Sequence, residues 1–311
     1  MSISNINSAL APSANSQLNP TGANTARADK EAASAQQDTL ELNAQEMDDI
    51  SELVRLAGGP NAKIPSYTMV KGTNGDDTIG VSNGENGGLN ITINGKTTAY
   101  TAKQAEKLII AAGDGHDRIK VDSDVTANLL ISGGRGFDNI ESGAGNDIIV
   151  DNLGQNYIDA GAGNDKIIAR GKDLQDPPTL SVAFGREING NIISGGAGND
   201  YIEGSGYNDV LAGMNGDDMI FAHDGDDVIL AGQGRNYADG GAGNDHIENQ
   251  GAQGIIMGGE GNDYIDVWQP AKAIVDNQGE NIIEASVSVD FLIASPESKV
   301  TVHETPKTLQ N

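Results

Sequence analysis

A step of nine residues governs this chain. "GGAGNDYIE" occupies residues 195–203, and "GGAGNDHIE" stands at 240–248, five steps later. From 195 to 266 the chain falls into eight registers with no insertion: GGAGNDYIE, GSGYNDVLA, GMNGDDMIF, AHDGDDVIL, AGQGRNYAD, GGAGNDHIE, NQGAQGIIM and GGEGNDYID. Residues 133–168 hold four more, and single units stand at 72–80 ("GTNGDDTIG") and 112–120 ("AGDGHDRIK"). The eighth residue is aliphatic almost throughout: Ile140, Ile149, Ile158, Ile167, Ile193, Ile202, Leu211, Ile220, Ile229, Ile247, Ile256, Ile265, Ile274 and Ile283, with Ala238 as the break. The sixth is Asp138, Asp147, Asp165, Asp200, Asp209, Asp218, Asp227, Asp245 and Asp263, and elsewhere Asn156, Asn191, Asn236 and Asn281.

One buried aliphatic in nine residues cannot hold a lone unit together. Stacked units can, because their isoleucines form a continuous column, each burial contributing roughly 1.5–3 kcal/mol. A three-residue strand turns its middle side chain to one face and its neighbours to the other. Glycines at positions one, two and four allow positive φ, so each register reads as a six-residue turn plus a short strand. Two registers then complete one coil, and the expected fold is all-β: a parallel β-roll, a two-sheet solenoid with 18 residues per coil.

Composition agrees with the pattern. Glycine is 42 of 311 residues, far above the usual share of about 7%, and the nine-residue phase argues against reading it as disorder. The net charge is −26, of which 23 acids and 6 bases in 133–266 account for most. That excess excludes nucleic acid and an anionic membrane as natural partners and favours cations. With no cysteine, thiolate metal sites and cysteine nucleophiles are impossible. No run of eighteen apolar residues suggests a transmembrane helix, and the N-terminus lacks the pattern of a cleaved Sec signal.

Outside the registers the chain divides as follows. Residues 1–37, rich in Ser, Asn, Ala and Gln, read as a disordered leader. Residues 38–132 read as a small α/β cap with isolated repeats. It opens with a helix capped by Asp38 and Glu41, with Met47, Ile50, Leu53, Val54 and Ala57 on one packing face. A hairpin turning at Asn94-Gly95 follows, then a short helix opened by Thr101 and Gln104 and carrying Leu108 and Ile109. Stacked-repeat folds need such caps. The roll spans 133–284, interrupted by an insertion at 169–185, and strands and a tail fill 285–311. Trp268 is expected to shield the end of the roll.

The pattern G-G-x-G-x-D-x-U-x resembles the RTX, or hemolysin-type, calcium-binding nonapeptide repeat. The resemblance covers about 72–80, 112–120 and 133–284. It implies calcium as the cofactor, bound between turns of successive coils on one edge, eighteen residues apart. Calcium takes six to eight oxygens at about 2.3–2.6 Å, here turn carbonyls and the sixth-position carboxylate. Carried over residue by residue, the metal ligands are Gly195, Gly196, Ala197 and Gly198 with Asp200; Gly240, Gly241 and Gly243 with Asp245; and Gly258, Gly259 and Gly261 with Asp263. The side chains of Asp138, Asp147, Asp165, Asp209, Asp218, Asp227 and Asn236 complete the set. One edge then carries Asp209, Asp227, Asp245 and Asp263 in an unbroken column. The other carries Asp200, Asp218, Asn236 and Gly254, with one full gap before it fades. Asp147/Asp165 make a full pair upstream, and Asp138/Asn156 a weaker one. The missing fourth glycine of "GSGYND" weakens the Asp209 turn.

No HExxH and no G-x-S-x-G is present, so the protease and lipase halves of some RTX proteins are missing. His116, His223 and His246 read as turn residues. The resulting reading is a secreted bacterial calcium-binding protein, not an enzyme, whose roll folds outside the cytoplasm, with a role in virulence or host interaction. The alternatives are a calcium-dependent polysaccharide lyase or glycosidase using Arg170, Lys172 or Arg186, and a surface adhesion module. Its partners would be secretion machinery, of type I or type III, and a host surface or polysaccharide. "VDFLIAS" (289–295) resembles the acidic-then-apolar ending of a type I signal, and the Ser/Asn-rich start a type III leader.

Overall fold

Positions seven to nine of each register form a strand, as at Asn139–Glu141, Tyr157–Asp159, Lys166–Ile168 and Tyr201–Glu203. The structure is a computed structural model and describes residues 44–59, 61, 63, 67–151, 153–171, 180–181, 187–276, 278–285 and 289–302. The chain divides into residues 1–41 and 42–311, and every described residue lies in the second unit. The expected leader, the Asp38 and Glu41 cap and most of the insertion lie outside the described residues.

Successive registers alternate between two sheets. The first has 11 strands, from Thr68–Lys71 to Val289–Ala294, all parallel. The second has 13, parallel from Thr78–Asn83 to Lys299–Val302, with an antiparallel hairpin at its start. Ile202 lies opposite Ile220, and Ile229 opposite Ile247, eighteen residues on. The fold is the parallel β-solenoid that the repeat demands.

The core is the column of eighth-position residues. In the second sheet Ile79, Ile119, Ile140, Ile158, Ile193, Leu211, Ile229, Ile247, Ile265 and Ile283 stack in register, all buried. In the first sheet Ala238 continues the column as a buried small residue between Ile220 and Ile256. Around the insertion Ile158 pairs with Ile193 and Ile167 with Ile202. The coil therefore closes across the inserted segment as if it were absent.

Two glycine positions do the turning, not three. Positions two and four have positive φ, as at Gly196 (101°), Gly198 (139°), Gly241 (103°) and Gly243 (140°), whereas Gly195, Gly240 and Gly258 do not. At position four a Cβ on Gly216 or Gly261 would run into the carbonyl of the glycine one coil earlier. Coil-to-coil spacing, as well as conformation, requires glycine there.

The N-terminal cap matches its expected pieces in part. Leu89–Ile93 and Lys96–Tyr100 form the hairpin, with Asn94 and Gly95 at positive φ in a two-residue turn. Thr101 and Gln104 make a capping box, but the helix is only Ala102–Ala105. Leu108 and Ile109 belong instead to the strand Leu108–Asp114, held between Thr68–Lys71 and Leu130–Arg135. Strand pairing on both sides overrides the local helical start.

The helix Ala44–Gly58 lays Ile50, Leu53 and Val54 on the outer face of the first sheet, against Ile109, Ala111, Leu130, Val150 and Ile168. Met47 and Ala57, expected on that face, are exposed. The apolar outer residues of the early coils are what the helix covers; later coils alternate there, with Glu203, Phe221, Asp239 and Met257 in turn. Leu53→Ala should cost about 2–5 kcal/mol, read as a lower thermal midpoint in calcium, whereas Met47→Ala should change little. Trp268 does not end the roll, because the strands Ala271–Asp276, Ile282–Ala285, Val289–Ala294 and Lys299–Val302 continue both sheets beyond it.

Candidate metal centre

The sixth-position side chains form two ladders, one along each edge. Each backbone N–H donates to Oδ1 of the sixth residue one coil later. On one edge the rungs are Asp147 to Asp165 (2.7 Å), Asp165 to Asp200 (2.8 Å), Asp200 to Asp218 (3.0 Å) and Asp218 to Asn236 (3.0 Å). On the other, Asp77 donates to Asp117, Asp117 to Asp138, Asp138 to Asn156 and Asn156 to Asn191. The line continues through Asp209, Asp227, Asp245 and Asp263 to Asn281.

The first of these edges differs from its sequence-based description. Because the register closes across the insertion, Asp147 and Asp165 join Asp200 and Asp218 in one column of four carboxylates. Asp200 is thus an interior rung and not an end. The column does stop at Asn236, since Gly254 has no side chain to continue it. On the other edge Asp77 and Asp117 extend the ladder, and the sequence reading did not include them among the ligands. Their signal was the phase of the single units at 72–80 and 112–120. Asp77 is closed off by Thr73 and by the hairpin residue Asn94, so the cap ends this ladder.

Position five, read as variable, carries a second pair of ladders. Its side chains reach forward where those of position six reach back. Asn164 N donates to Asn146 Oδ1, Asn199 N to Asn164 Oδ1 and Asp217 N to Asn199 Oδ1. On the other edge Asp226 N donates to Asn208 Oδ1, Asn244 N to Asp226 Oδ1 and Asn262 N to Asn244 Oδ1. The Asn-Asp and Asp-Asp pairs of the repeat therefore satisfy four otherwise lone groups per gap.

Oδ1 is thus spoken for, and Oδ2 is the question. In Asp117, Asp138, Asp165, Asp200, Asp218 and Asp227 it is buried and meets no donor. Asp147 and Asp209 differ, with Oδ2 accepting from Ser142 and from Ser205, the latter at 2.6 Å from N and 2.9 Å from Oγ. The weakness expected of the Asp209 turn is filled by that serine. Where Asn replaces Asp, the ladder bond survives and the amide NH₂ takes the place of Oδ2; at Asn156 it is buried without a partner, and at the other three rungs it meets carbonyls. It donates to Ala231 O (3.0 Å) and Gly232 O (3.3 Å) from Asn236, to Ala169 O (2.7 Å) from Asn191, and to Gln278 O (2.5 Å) from Asn281. The second atom of a sixth-position residue therefore looks at carbonyl oxygens. A Cβ built on Gly213 would stand 2.5 Å from Asp218 Oδ2 and 2.7 Å from Ala231 O, so carboxylate and carbonyl oxygens converge there.

Oxygen against oxygen without a donor raises the carboxylate pKa values. Burial, opposed by the ladder N–H and reinforced by neighbouring carboxylates, lifts Asp227 to about 9 and Asp165 to about 8. Burial lifts Asp117, Asp138 and Asp209 to about 7, and Asp200 and Asp218 to about 6. Unpaired buried charge is costly, and a cation or a proton relieves it. Hard oxygens at a glycine-rich turn suit calcium. Among the described residues no three His, Asp or Glu side chains form a metal cage by themselves, so turn carbonyls and water would supply the remaining ligands.

Of the three basic residues considered for lyase chemistry, Arg170 is described, and it is engaged in ion pairs. Arg170 donates to Glu203 (2.7 Å from Nε) and to Glu52 of the helix (3.2 Å). Lys172 and Arg186 lie outside the described residues. His116 stacks on Phe137, and His246 on Tyr264.

A family model described as the RTX calcium-binding nonapeptide repeat, four copies long, matches residues 131–167, 194–229, 203–238, 221–249 and 255–268. Neither the curated proteins nor the solved structures give a match. No described helix is long and apolar enough to cross a membrane. The matched coils, within residues 131–268, are RTX calcium-binding nonapeptide repeats.

Proposed function

We propose that this is an exported calcium-binding protein whose roll closes when calcium enters its turns outside the cytoplasm. One observation carries the reading. At the Asn191, Asn236 and Asn281 rungs the NH₂ group donates to turn carbonyls; at Asp165, Asp200, Asp218 and Asp227 a buried oxygen occupies the same place with no donor. A cation between carboxylate and carbonyls satisfies both, and Asp227, Asp200, Asp218 and Asp165 are the residues that would hold it. Calcium supplies charge neutralisation there; the chain's own ladders supply the spacing and keep Oδ1 fixed. Folding free energy and metal binding then become one quantity.

Calorimetric titration of the chelated chain tests this. Calcium should bind with a midpoint of about 10⁻⁴–10⁻³ M, the range of extracellular modules, and magnesium poorly, because it demands tight octahedral geometry. No calcium heat would end the proposal, and submicromolar affinity would remove the extracellular part. Export by a type I or type III route, toward a host, rests on the resemblance of the chain's two ends to such signals. Secretion undiminished by deleting 2–30 or 285–311 would remove that part.

A further inference from the structure

Two registers depart from the repeat in the same way. "DNLGQN" (151–156) and "DNQGEN" (276–281) carry Asp at position one and Asn at position six. The carboxylate has moved five places along the turn. Asp151 and Asp276 are buried, at 0% and 1% exposure, and no well-formed hydrogen bond reaches the oxygens of either; the Gly134 N–H lies beside Asp151, and Asp276 lies against the carboxyl of Asp263. Each faces the sixth-position Asp of the preceding coil. A Cβ built on Gly133 would stand 2.6 Å from Asp138 Oδ2 and 2.8 Å from Asp151 Cγ. One built on Gly258 would stand 2.6 Å from Asp263 Oδ2 and 2.7 Å from Asp276 Cγ. The two convergences are alike though 125 residues apart.

A third register shows the neutral version. In "NQGAQG" (249–254) position one is Asn249, and it faces Asn236 of the coil before. There the amides bond to each other, Asn236 Nδ2 to Asn249 Oδ1 at 3.2 Å, and Asn249 Nδ2 donates to Gly251 O at 2.8 Å. So amide meets amide at one gap, and carboxylate meets carboxylate at two. Space filling does not explain this matching, because a donor opposite Asp138 would serve better. Buried like charges within reach of each other need a counter-charge or a shared proton, and a cation serves both carboxylates at once.

We infer that Asp138 with Asp151, and Asp263 with Asp276, form two divalent-cation sites of a second type, in which a position-one carboxylate replaces the missing position-six one. The inference rests on the calcium reading of the roll. It means that calcium capacity is not lost at Asn156 and Asn281, and that the gap closed by Asn236 and Asn249 needs no ion. The two sites bracket the roll near its ends. The first lies under the docked helix, where Asp49 adds a further buried carboxylate beside Asp151. Like Asp138, Asp151 is held above the usual carboxylate range by burial and by its neighbours Asp138 and Asp49; the nearby Gly134 N–H works weakly the other way. Calcium here would seat the helix as well as the coil.

The test is calcium calorimetry on the full chain with Asp151→Asn, Asp276→Asn and the double variant, beside Asp227→Ala. Neither Asp151 nor Asp276 is a ladder rung, so amide replacement leaves the ladders intact. Each single variant should bind about one ion fewer, and the double variant about two, since charge count sets calcium affinity. In chelator at about pH 5, where the metal-free fold is expected to persist and these carboxyls are protonated, their thermal midpoints should match that of the parent chain; this separates ion loss from misfolding. Unchanged stoichiometry and affinity in both variants, with loss in Asp227→Ala, would overturn the second site type and leave the calcium roll standing. Unchanged binding in Asp227→Ala as well would overturn both.

Discussion

In chelator at about pH 8 the chain should lose most of its β structure, and millimolar calcium should restore it. Two ladders of buried carboxylates cannot stay charged at coil spacing without cations. The metal-free fold should also recover as pH falls. The folded values stand at about 9 for Asp227, about 8 for Asp165, about 7 for Asp117, Asp138, Asp209 and Asp276, and about 6 for Asp200 and Asp218. Unfolded, each returns to about 3.9. Between those limits the folded chain binds more protons than the unfolded one. Its metal-free stability therefore falls as pH rises through that window and is greatest at its acid end. Circular dichroism in chelator at about pH 5 and pH 8 reads this directly. A full β spectrum in chelator at the higher pH, or less structure at the lower, would refute the coupling. By the same linkage, calcium binding near neutral pH should release protons, seen as a dependence of the calorimetric heat on the buffer's ionisation enthalpy.

The second large effect concerns interior rungs. Asp200→Ala should be as damaging as Asp227→Ala, because each lies between two carboxylate neighbours of its own edge: Asp165 and Asp218 for the first, Asp209 and Asp245 for the second. Each substitution should remove up to two ions and lower the cooperativity of folding. Asn236→Ala should act differently. It strips a ladder acceptor from Asp218 and a donor from Ala231, Gly232 and Asn249, and each buried group left unsatisfied costs about 1–3 kcal/mol. It should therefore lower thermal stability in calcium while leaving the ion count unchanged. Calorimetry and thermal melts on the three variants decide it. An Asp200→Ala chain that lost only half as many ions as Asp227→Ala would mean that the edge does not run through the insertion.

That contrast marks how far the sequence reached. A strict nine-residue phase with one aliphatic at position eight leaves the chain a single way to bury its apolar side chains, so solenoid, coil length, core column and the Asp209 to Asp263 edge were legible without coordinates. The capping box at Thr101 and the Asn94-Gly95 turn were legible too, because their chemistry is local. Long-range register was not. Only the closed coil shows that Asp165 sits beneath Asp200 across an insertion, and that Asp77 and Asp117 belong to the same ladder as Asp138, since phase within a segment says nothing about what stacks after a loop of arbitrary length. Leu108 and Ile109 went to a strand for the same reason: their partners, Thr68 for the first and Met69 and Leu130 for the second, are distant in sequence. The facing of Asp151 on Asp138 and of Asp276 on Asp263 was also decided by tertiary structure. Position one of one coil meets position six of the previous coil only when two turns are stacked, and whether a carboxylate there meets a donor, an amide or another carboxylate is a property of the stack and not of either nonapeptide.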